Sequence, residues 1–236
     1  MLSQTSGITD YIENPRFIPD VIEHPKTQYS SVKILEKYYE YQSNRQAEFP
    51  PGDFYYSDLD YVLLAMIIEQ VTGETYHAQL KTRIFYLLGM DNSYLEYYEE
   101  PRGDNLLSHA FFSTTDLITD VNTPFDWGVG GIVSTCEELN WFFRALLHGK
   151  LFSKESTLKL MLTEVNKGRG GMNYDYGFGI MKRPIHGLTF YGHGKAYDCA
   201  VFYCSEENIS ICLSLNQMNT HGKRDKFLKE TVKLIL

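Results

Sequence analysis

The stretch FPPGDFYYSD at residues 49–58, together with the apolar run that follows it as far as Gly73, decides the fold. Apolar residues in this run recur at the spacing of a helix. Ser57 or Asp58 is a typical helix N-cap, and the glycine is a typical stop. The pattern predicts an aromatic loop that contains Tyr56 and leads directly into a helix.

In the rest of the first half of the chain, the spacing of apolar residues predicts helices and loops. In the second half this spacing shortens from about 3.6 to about 2 residues, which predicts a sheet. We predict further helices at 75–88, 134–149 and 153–165, a loop at 91–127, strands at 176–181, 189–191, 200–204 and 209–215, a turn at 205–208, and a closing amphipathic helix. Helices followed by an antiparallel sheet and a closing helix indicate an α+β fold.

Two regions are expected within this fold. Residues 1–127 form a mainly helical region that carries Tyr56, and residues 128–236 contain helices, the antiparallel sheet and the closing helix. No internal repeat or low-complexity tract interrupts either region.

Composition excludes several classes of protein. The 236 residues contain 22 basic and 30 acidic side chains, which gives a net charge of −8. This balance argues against nucleic-acid binding and against docking on anionic membranes. The longest apolar run, Tyr61–Ile68, is too short for a membrane helix, which needs about 20 residues. No signal peptide is recognisable, so the chain as it stands is predicted to be cytoplasmic.

The cysteines and histidines indicate no metal site and no cofactor. Cys136, Cys199, Cys204 and Cys212 lack the spacing of a zinc knuckle, and the seven histidines are scattered. A chain of this size needs no disulfide staples, so we predict four buried thiols in a reducing environment.

Seven segments form an ordered set along the chain: LSQTSGI at 2–8, FPPGDFYYSD at 49–58, LAMIIEQVTG at 64–73, LGM at 88–90, GGIVST at 130–135, YGFG at 176–179 and YGHG at 191–194. In this order they resemble the serine β-lactamase and penicillin-binding-protein superfamily, and most closely its class C-like branch, which also holds esterases and D-aminopeptidases. The resemblance implies a β-lactamase/transpeptidase-like fold. It also implies a serine hydrolase that forms an acyl-enzyme on an amide or ester of a small-molecule or peptide substrate.

The resemblance assigns two residues of the helical region to the site. Tyr56 matches the catalytic Tyr of the family's Y-x-N motif, and Asp58 matches the substrate-binding Asn, here replaced by a carboxylate. A phenol has an ordinary pKa near 10, so Tyr56 could act as a base only beside a cation.

The remaining site residues lie in the YGHG segment and directly after it. His193 matches the first position of the family's K/H-x-G strand motif, as a catalytic group. Gly194, Lys195 and Ala196 are expected at the substrate, with the N–H of Ala196 in the oxyanion hole. Lys195 replaces a glycine of the family, and it could crowd the acyl pocket or supply a cation. We predict that Tyr56 and His193 face each other across a groove.

The nucleophile is expected in an S-x-x-K motif upstream of the LSQTSGI segment, where this chain begins. Two such strings occur, at 30–33 and 156–159, but both lie out of order and at the frequency expected by chance. The chain is therefore expected to be a truncated, inactive serine hydrolase. The alternatives are a non-catalytic binding module of the same fold and a half-enzyme completed by a separate polypeptide. The absent strands would leave an unpaired sheet edge, so we expect the chain either to form a homodimer through that edge or to be poorly soluble.

Overall fold

A computed structural model describes residues 1–45, 49–101, 107–118, 120, 124–166, 174–194, 197–218, 220 and 222–236. The chain divides into two compact units. The first unit comprises Met1–Asn105 and Ile118–Val133, and the second comprises Leu106–Leu117 and Ser134–Leu236.

The α-helices, in chain order, are α1 (Phe17–Glu23), α2 (Ser31–Glu40), α3 (Asp58–Thr72), α4 (Tyr76–Leu80), α5 (Tyr86–Leu88), α6 (Cys136–Leu147), α7 (Glu155–Met161) and α8 (Lys223–Ile235). A 3₁₀ turn (Ser43–Arg45) follows α2, and a π-helical turn (Lys81–Phe85) joins α4 to α5. The strands are β1 (Tyr94–Leu95), β2 (Phe111–Phe112), β3 (Thr115–Asp116), β4 (Ile132–Val133), β5 (Asp175–Tyr176), β6 (Met181–Ile185), β7 (Leu188–His193), β8 (Cys199–Cys204) and β9 (Ile209–Ser214).

Helix α3 confirms the prediction from the deciding stretch. Ser57 has the extended backbone of an N-cap, and Asp58 and Asp60 place negative charge in the first turn, where the helix dipole favours it. Gly73 ends the helix in the left-handed conformation, with its N–H donating to the carbonyl of Glu69. The predicted helix at 75–88 is also present, but a π-helical turn interrupts it.

An aromatic cluster around Phe17 forms part of the core of the first unit. The Phe17 side chain is fully buried, and its ring makes edge contacts with Tyr11, Tyr29, Tyr41 and Phe125 at centroid distances of 4.9 to 6.5 Å. Such edge contacts add to the stabilisation that burial gives. Helix α1, which carries Phe17, is thereby held against segments distant in the sequence.

The second unit is built on a five-stranded antiparallel sheet with the order β5-β6-β7-β8-β9. Phe143 of α6 packs with Val201 and Tyr203 of β8. The intervening residue, Phe202, points to the opposite face of the sheet. There it lies beneath Arg183, which makes a bidentate ion pair with Asp225 of α8. Helices therefore cover both faces of the sheet.

The predicted strands at 200–204 and 209–215 are confirmed as β8 and β9, with the predicted turn between them, and 189–191 lies inside β7. The predicted strand at 176–181 is wrong, because Tyr176 pairs with Met181 across a tight turn. Gly179 has a positive φ of 84°, and a Cβ on Gly177 would collide with the carbonyl of Met161. These two glycines reverse the chain where the apolar pattern suggested a continuous strand.

Two other expectations about elements need correction. The predicted helix at 153–165 ends at Met161, since Val165 and Asn166 hydrogen-bond to Tyr176 in β5 instead. The predicted loop at 91–127 contains the two-residue strands β1, β2 and β3, which are too short to show a periodic pattern.

The cysteines also differ from expectation. Only Cys204 is buried, whereas Cys199 and Cys212 are half-buried and Cys136 is exposed. The physical reason is that Cys136 is the first residue of α6, at the open end of the helix. Within the part of the chain that is described, no helix has both the length and the apolar character needed to cross a bilayer.

We predict that Gly192→Ala destabilises the protein by about 2–3 kcal/mol, because the added Cβ would collide with the carbonyl of Val201 and the backbone of Phe202. Urea unfolding of wild type and variant measures this loss. Gly130→Ala is the matched control, because its Cβ would meet nothing closer than 3.6 Å, and it should change stability by less than about 0.5 kcal/mol. Equal effects of the two substitutions would contradict the close approach.

Candidate active site

Tyr56 lies in the extended segment just before α3, and Gln4 holds the backbone on both sides of it. The carbonyl of Gln4 accepts a hydrogen bond from the N–H of Tyr55 (2.9 Å), and its side-chain Oε1 accepts one from the N–H of Ser57 (2.9 Å). Gln4 is fully buried and has a positive φ of 57°. The half-buried Tyr56 is therefore positioned by a residue more than 50 positions away in sequence.

Gln4 is a functional candidate that the sequence reasoning did not assign. Its Nε2 and the hydroxyl of Ser57 are buried, and neither has a hydrogen-bond partner among the described residues. A buried donor without a partner is costly. The position of Gln4 in the LSQTSGI segment could have identified it, because the family that the chain resembles has a histidine at this position.

Asp58 begins α3 and is 8% exposed. Its charge acts on other groups of the first unit. Burial, with a further contribution from the charge of Asp58, raises the pKa of Asp126 to about 6. Burial, with a further contribution from Asp126, raises the pKa of Glu96 to about 7. Asp58, Asp126 and Glu96 thus form an electrostatically coupled acidic group, and the last two had not been predicted as site residues.

Tyr11 connects this acidic group to the aromatic core. Its hydroxyl donates to the carbonyl of Phe125 (2.8 Å), next to Asp126 in the chain. Burial raises the pKa of Tyr11 well above its ordinary value, and the charge of Asp58 raises it further. The charged groups that act on Tyr11 are acidic, so this part of the first unit disfavours additional negative charge.

His193 is the last residue of β7, where it pairs with Val201 of β8. Its half-buried ring makes an edge contact with Tyr176, at a centroid distance of 6.1 Å. The glycines on both sides of His193 are required by packing. A Cβ on Gly194 would lie 2.5 Å from the carbonyl oxygen of Cys199, and Gly192 is equally constrained. The backbone of β8 therefore approaches the histidine closely on both sides.

The structure places Tyr56 and Asp58 in the first unit, and His193 and Gly194 in the second. The expectation that Tyr56 and His193 face each other stays a prediction. Lys195 and Ala196 lie outside the described residues, so their expected roles also stay predictions.

The two S-x-x-K strings have structural roles in the helices that contain them. Ser30 is the N-cap of α2, and its hydroxyl accepts a hydrogen bond from the N–H of Lys33. The ammonium of Lys33 pairs with Glu36 at 3.0 Å. Helix α7 contains the second string, in which the exposed Lys159 pairs with Glu155 at 2.9 Å. Each lysine is thus paired with a glutamate of its own helix, whereas activation of a nucleophile requires a hydrogen bond between the lysine and the serine.

Across the described residues, no group of three or more His, Cys, Asp or Glu side chains is arranged to hold a metal ion.

Comparisons with known proteins give a consistent result. A family model described as Beta-lactamase matches residues 1–232. The chain is 30% identical over 188 residues to PbpX of Bacillus subtilis (strain 168), which is named as a penicillin-binding protein. That match covers 78% of this chain and 42% of PbpX, so the chain spans less than half of that relative.

Solved structures share the fold. A D-stereospecific amidohydrolase from Streptomyces sp. is 26% identical with a TM-score of 0.79, and the match covers 92% of this chain and 66% of the other. A D-amino acid amidase from Ochrobactrum anthropi SV3 is 19% identical with a TM-score of 0.82, over 99% and 69% of the two chains. The octameric penicillin-binding protein homologue from Pyrococcus abyssi is 22% identical with a TM-score of 0.76, over 99% and 54%.

We predict that Glu96→Gln stabilises the protein at alkaline pH. The pKa of Glu96 is raised from 4.5 to about 7, so the folded state holds this proton more tightly than the unfolded state does. Its contribution to stability is complete below about pH 4.5 and is lost as the pH rises through 7. The variant should be more stable than wild type at pH 8 by about 1–2 kcal/mol after allowing for solvent screening.

Urea unfolding at pH 4 and pH 8 measures this difference, which should vanish at the lower pH. Glu100→Gln is the matched control, since Glu100 is an exposed carboxyl close by in the chain. An identical pH dependence for the Glu96 variant and wild type would contradict the assignment.

Proposed function

Since this chain belongs to the Beta-lactamase family, we propose that it carries the tyrosine and histidine elements of a serine hydrolase site that acts on an amide or ester. One observation carries the proposal. In a chain whose family match spans residues 1–232, both motifs stand in ordered backbone. Tyr56 and Ser57 directly precede α3, and Asp58 is its first residue. His193 lies between two glycines at which the backbone of β8 leaves no room for a side chain.

Each residue has a distinct role in the proposed reaction. Tyr56 is the general base for the attacking serine, and Lys195 supplies the cation that a phenol with an ordinary pKa near 10 needs for this task. His193 donates a hydrogen bond to the substrate or the leaving group. The N–H of Ala196 stabilises the oxyanion, and the backbone of Gly194 lines the substrate site next to it.

Four substrate classes are compatible with this site: a β-lactam, a peptidoglycan stem peptide, a D-amino-acid peptide or amide, and a simple ester. The negative charge of Asp58, which stands at the place of the family's substrate-binding Asn, favours a substrate with a protonated amine over one with a free carboxylate. The Streptomyces enzyme at 26% identity is a D-stereospecific amidohydrolase. We therefore propose a D-aminoacyl amide or peptide as the substrate class to test first.

We further propose that the 236-residue chain by itself forms no acyl-enzyme. Ser30 is engaged as a helix cap, and Lys33 and Lys159 are engaged in ion pairs. The same observations favour a second candidate, a binding module that retains the fold without covalent catalysis. A half-enzyme completed by a separate S-x-x-K polypeptide is a third.

We predict no covalent labelling of the purified chain by a fluorophosphonate or a penicillin probe, because a general base without a nucleophile cannot form an acyl-enzyme. Intact-mass spectrometry measures the labelling. Stoichiometric modification that is lost in Ser30→Ala or Ser156→Ala would contradict this prediction and identify the nucleophile.

The same measurement on the chain extended upstream by an S-x-x-K segment separates the hypotheses. Labelling of the extended protein supports the hydrolase, and Tyr56→Phe should then slow acylation by about 10²-fold or more. Tyr55→Phe is the matched control, since that neighbouring hydroxyl donates to Glu13 instead. An extended protein that remains unlabelled would favour the binding module.

We also propose a homodimer through the outer edge of β9. This strand pairs with β8 on one side, and no described strand pairs with it on the other. Free N–H and C=O groups at such an edge favour pairing with another strand. Light scattering should show a mass that rises from monomer to dimer with concentration, and a monomer at every concentration would contradict the proposal.

A further inference from the structure

Three of the four cysteines of the second unit lie together, although they are far apart in sequence. Cys136 begins α6, Cys199 begins β8, and Cys212 lies within β9. We refer to Cys136, Cys199 and Cys212 as the thiol cluster. The hydrolase reaction proposed above uses none of these residues.

The packing of α6 on the sheet brings the thiol cluster together. Cys199 pairs with Ser214 and Val201 pairs with Cys212 in the β8–β9 ladder, so these four residues share one face of the sheet. Val201 and Cys212 on that face pack into the same cluster as Phe143 of α6. The face that carries two of the cysteines is therefore the face against which the helix that begins with Cys136 is packed.

The thiols differ in their contacts. The hydroxyl of Ser210 in β9 donates to the side-chain oxygen of Asn140 in α6 (2.7 Å). Cys136 lies one turn before Asn140, and Cys212 lies two residues after Ser210 on the same face of the sheet, so the two thiols face each other. The Sγ of Cys199 instead lies 3.1 Å from the hydroxyl of Ser214 and 3.7 Å from the carbonyl of Tyr197. The facing pair thus consists of one exposed thiol, Cys136, and one half-buried thiol, Cys212.

We propose that Cys136 and Cys212 are an oxidisable pair, in which Cys136 is the site modified by a low-molecular-weight disulfide and Cys212 resolves the adduct into an intramolecular disulfide. The Cys136 thiolate attacks one sulfur of the small disulfide, which breaks and releases one small thiolate. The Cys212 thiolate then attacks the Sγ of Cys136 and releases the second. Two electrons pass from the protein thiols to the small disulfide, and the two protons that the protein thiols lose go to the two released thiolates.

Accessibility assigns the order of the two steps. Cys136 is exposed at the start of α6, where a small disulfide can reach it. Burial and the contact with Cys136 raise the pKa of Cys212, so Cys212 is the slower thiol to react with an oxidant in solution. Once the adduct is on Cys136, its sulfur is already beside Cys212, and the second step is intramolecular.

The disulfide would join the first residue of α6 to β9 and so close a long loop of the chain. Such a cross-link restricts the unfolded chain and stabilises the second unit. The protein would be reduced in a reducing compartment and cross-linked on exposure to oxidised low-molecular-weight thiols. This property is independent of the hydrolase proposal, since it involves neither Tyr56 nor His193.

Oxidised glutathione at pH 8 is the probe, applied to the purified 236-residue chain. The number of titratable thiols in denaturant should fall from four to two, and the protein mass should fall by about 2 Da. Non-reducing peptide mapping should recover Cys136 joined to Cys212. A count that stays at four, or a disulfide that contains Cys199 instead, would overturn the proposal.

Variants test the order of the steps. Cys212→Ser should accumulate one glutathione on Cys136, and Cys136→Ser should leave Cys212 reduced. Cys204→Ala is the matched control, because Cys204 is fully buried outside the thiol cluster, and it should still lose two thiols to the cross-link. Stable glutathione on Cys136 of the wild-type chain without cross-linking would show that Cys212 does not resolve the adduct and would overturn the proposal.

Discussion

The close approach of β7 and β8 is the constraint on which the second unit depends. At Gly192 and Gly194 the backbone of β8 occupies the space that a side chain would need. These two strands lie in the inner part of the sheet, so their spacing also fixes the strands on either side of them. The same approach holds His193 at the end of β7, because the backbone on both sides of this residue packs against β8. The side chain of His193 points to the opposite face of the sheet from the two glycine positions.

In both units, the chemistry is concentrated where a helix begins. Helix α3 begins with Asp58 after the extended Ser57, and helix α6 begins with Cys136 after the extended Thr135. The first residues of a helix have N–H groups without intrahelical partners, and they lie at the edge of the packed core. In the first unit, the side-chain oxygen of Gln4 accepts a hydrogen bond from one of these N–H groups, that of Ser57. The same hydrogen bond orders the segment that carries Tyr56.

The local sequence pattern was sufficient to predict the helix and the strands that carry the site residues. The N-cap at Ser57 and the stop at Gly73 defined α3, because caps and apolar spacing act within a few residues. The strict alternation in β9 defined that strand for the same reason, and β8 was recognisable as a short apolar run that ends at a turn. The strand predicted from the apolar pattern at 176–181 is wrong, because the chain turns at Gly177, and this turn depends on the position of the Met161 carbonyl. A contact with a separate element leaves no periodic signal in the segment itself.

The sequence by itself therefore determined the α+β class, the order of the motifs and the identity of Tyr56 and His193 as candidates. Only the tertiary structure decided that Gln4 holds the Tyr56 segment, that burial and the charge of Asp126 raise the pKa of Glu96 to about 7, and that Cys136 at the start of α6 faces Cys212 of β9. Each of these depends on burial and on contacts between residues that are 30 or more positions apart. Desolvation and side-chain contact are properties of the packed chain, because the unfolded sequence leaves every one of these groups in water.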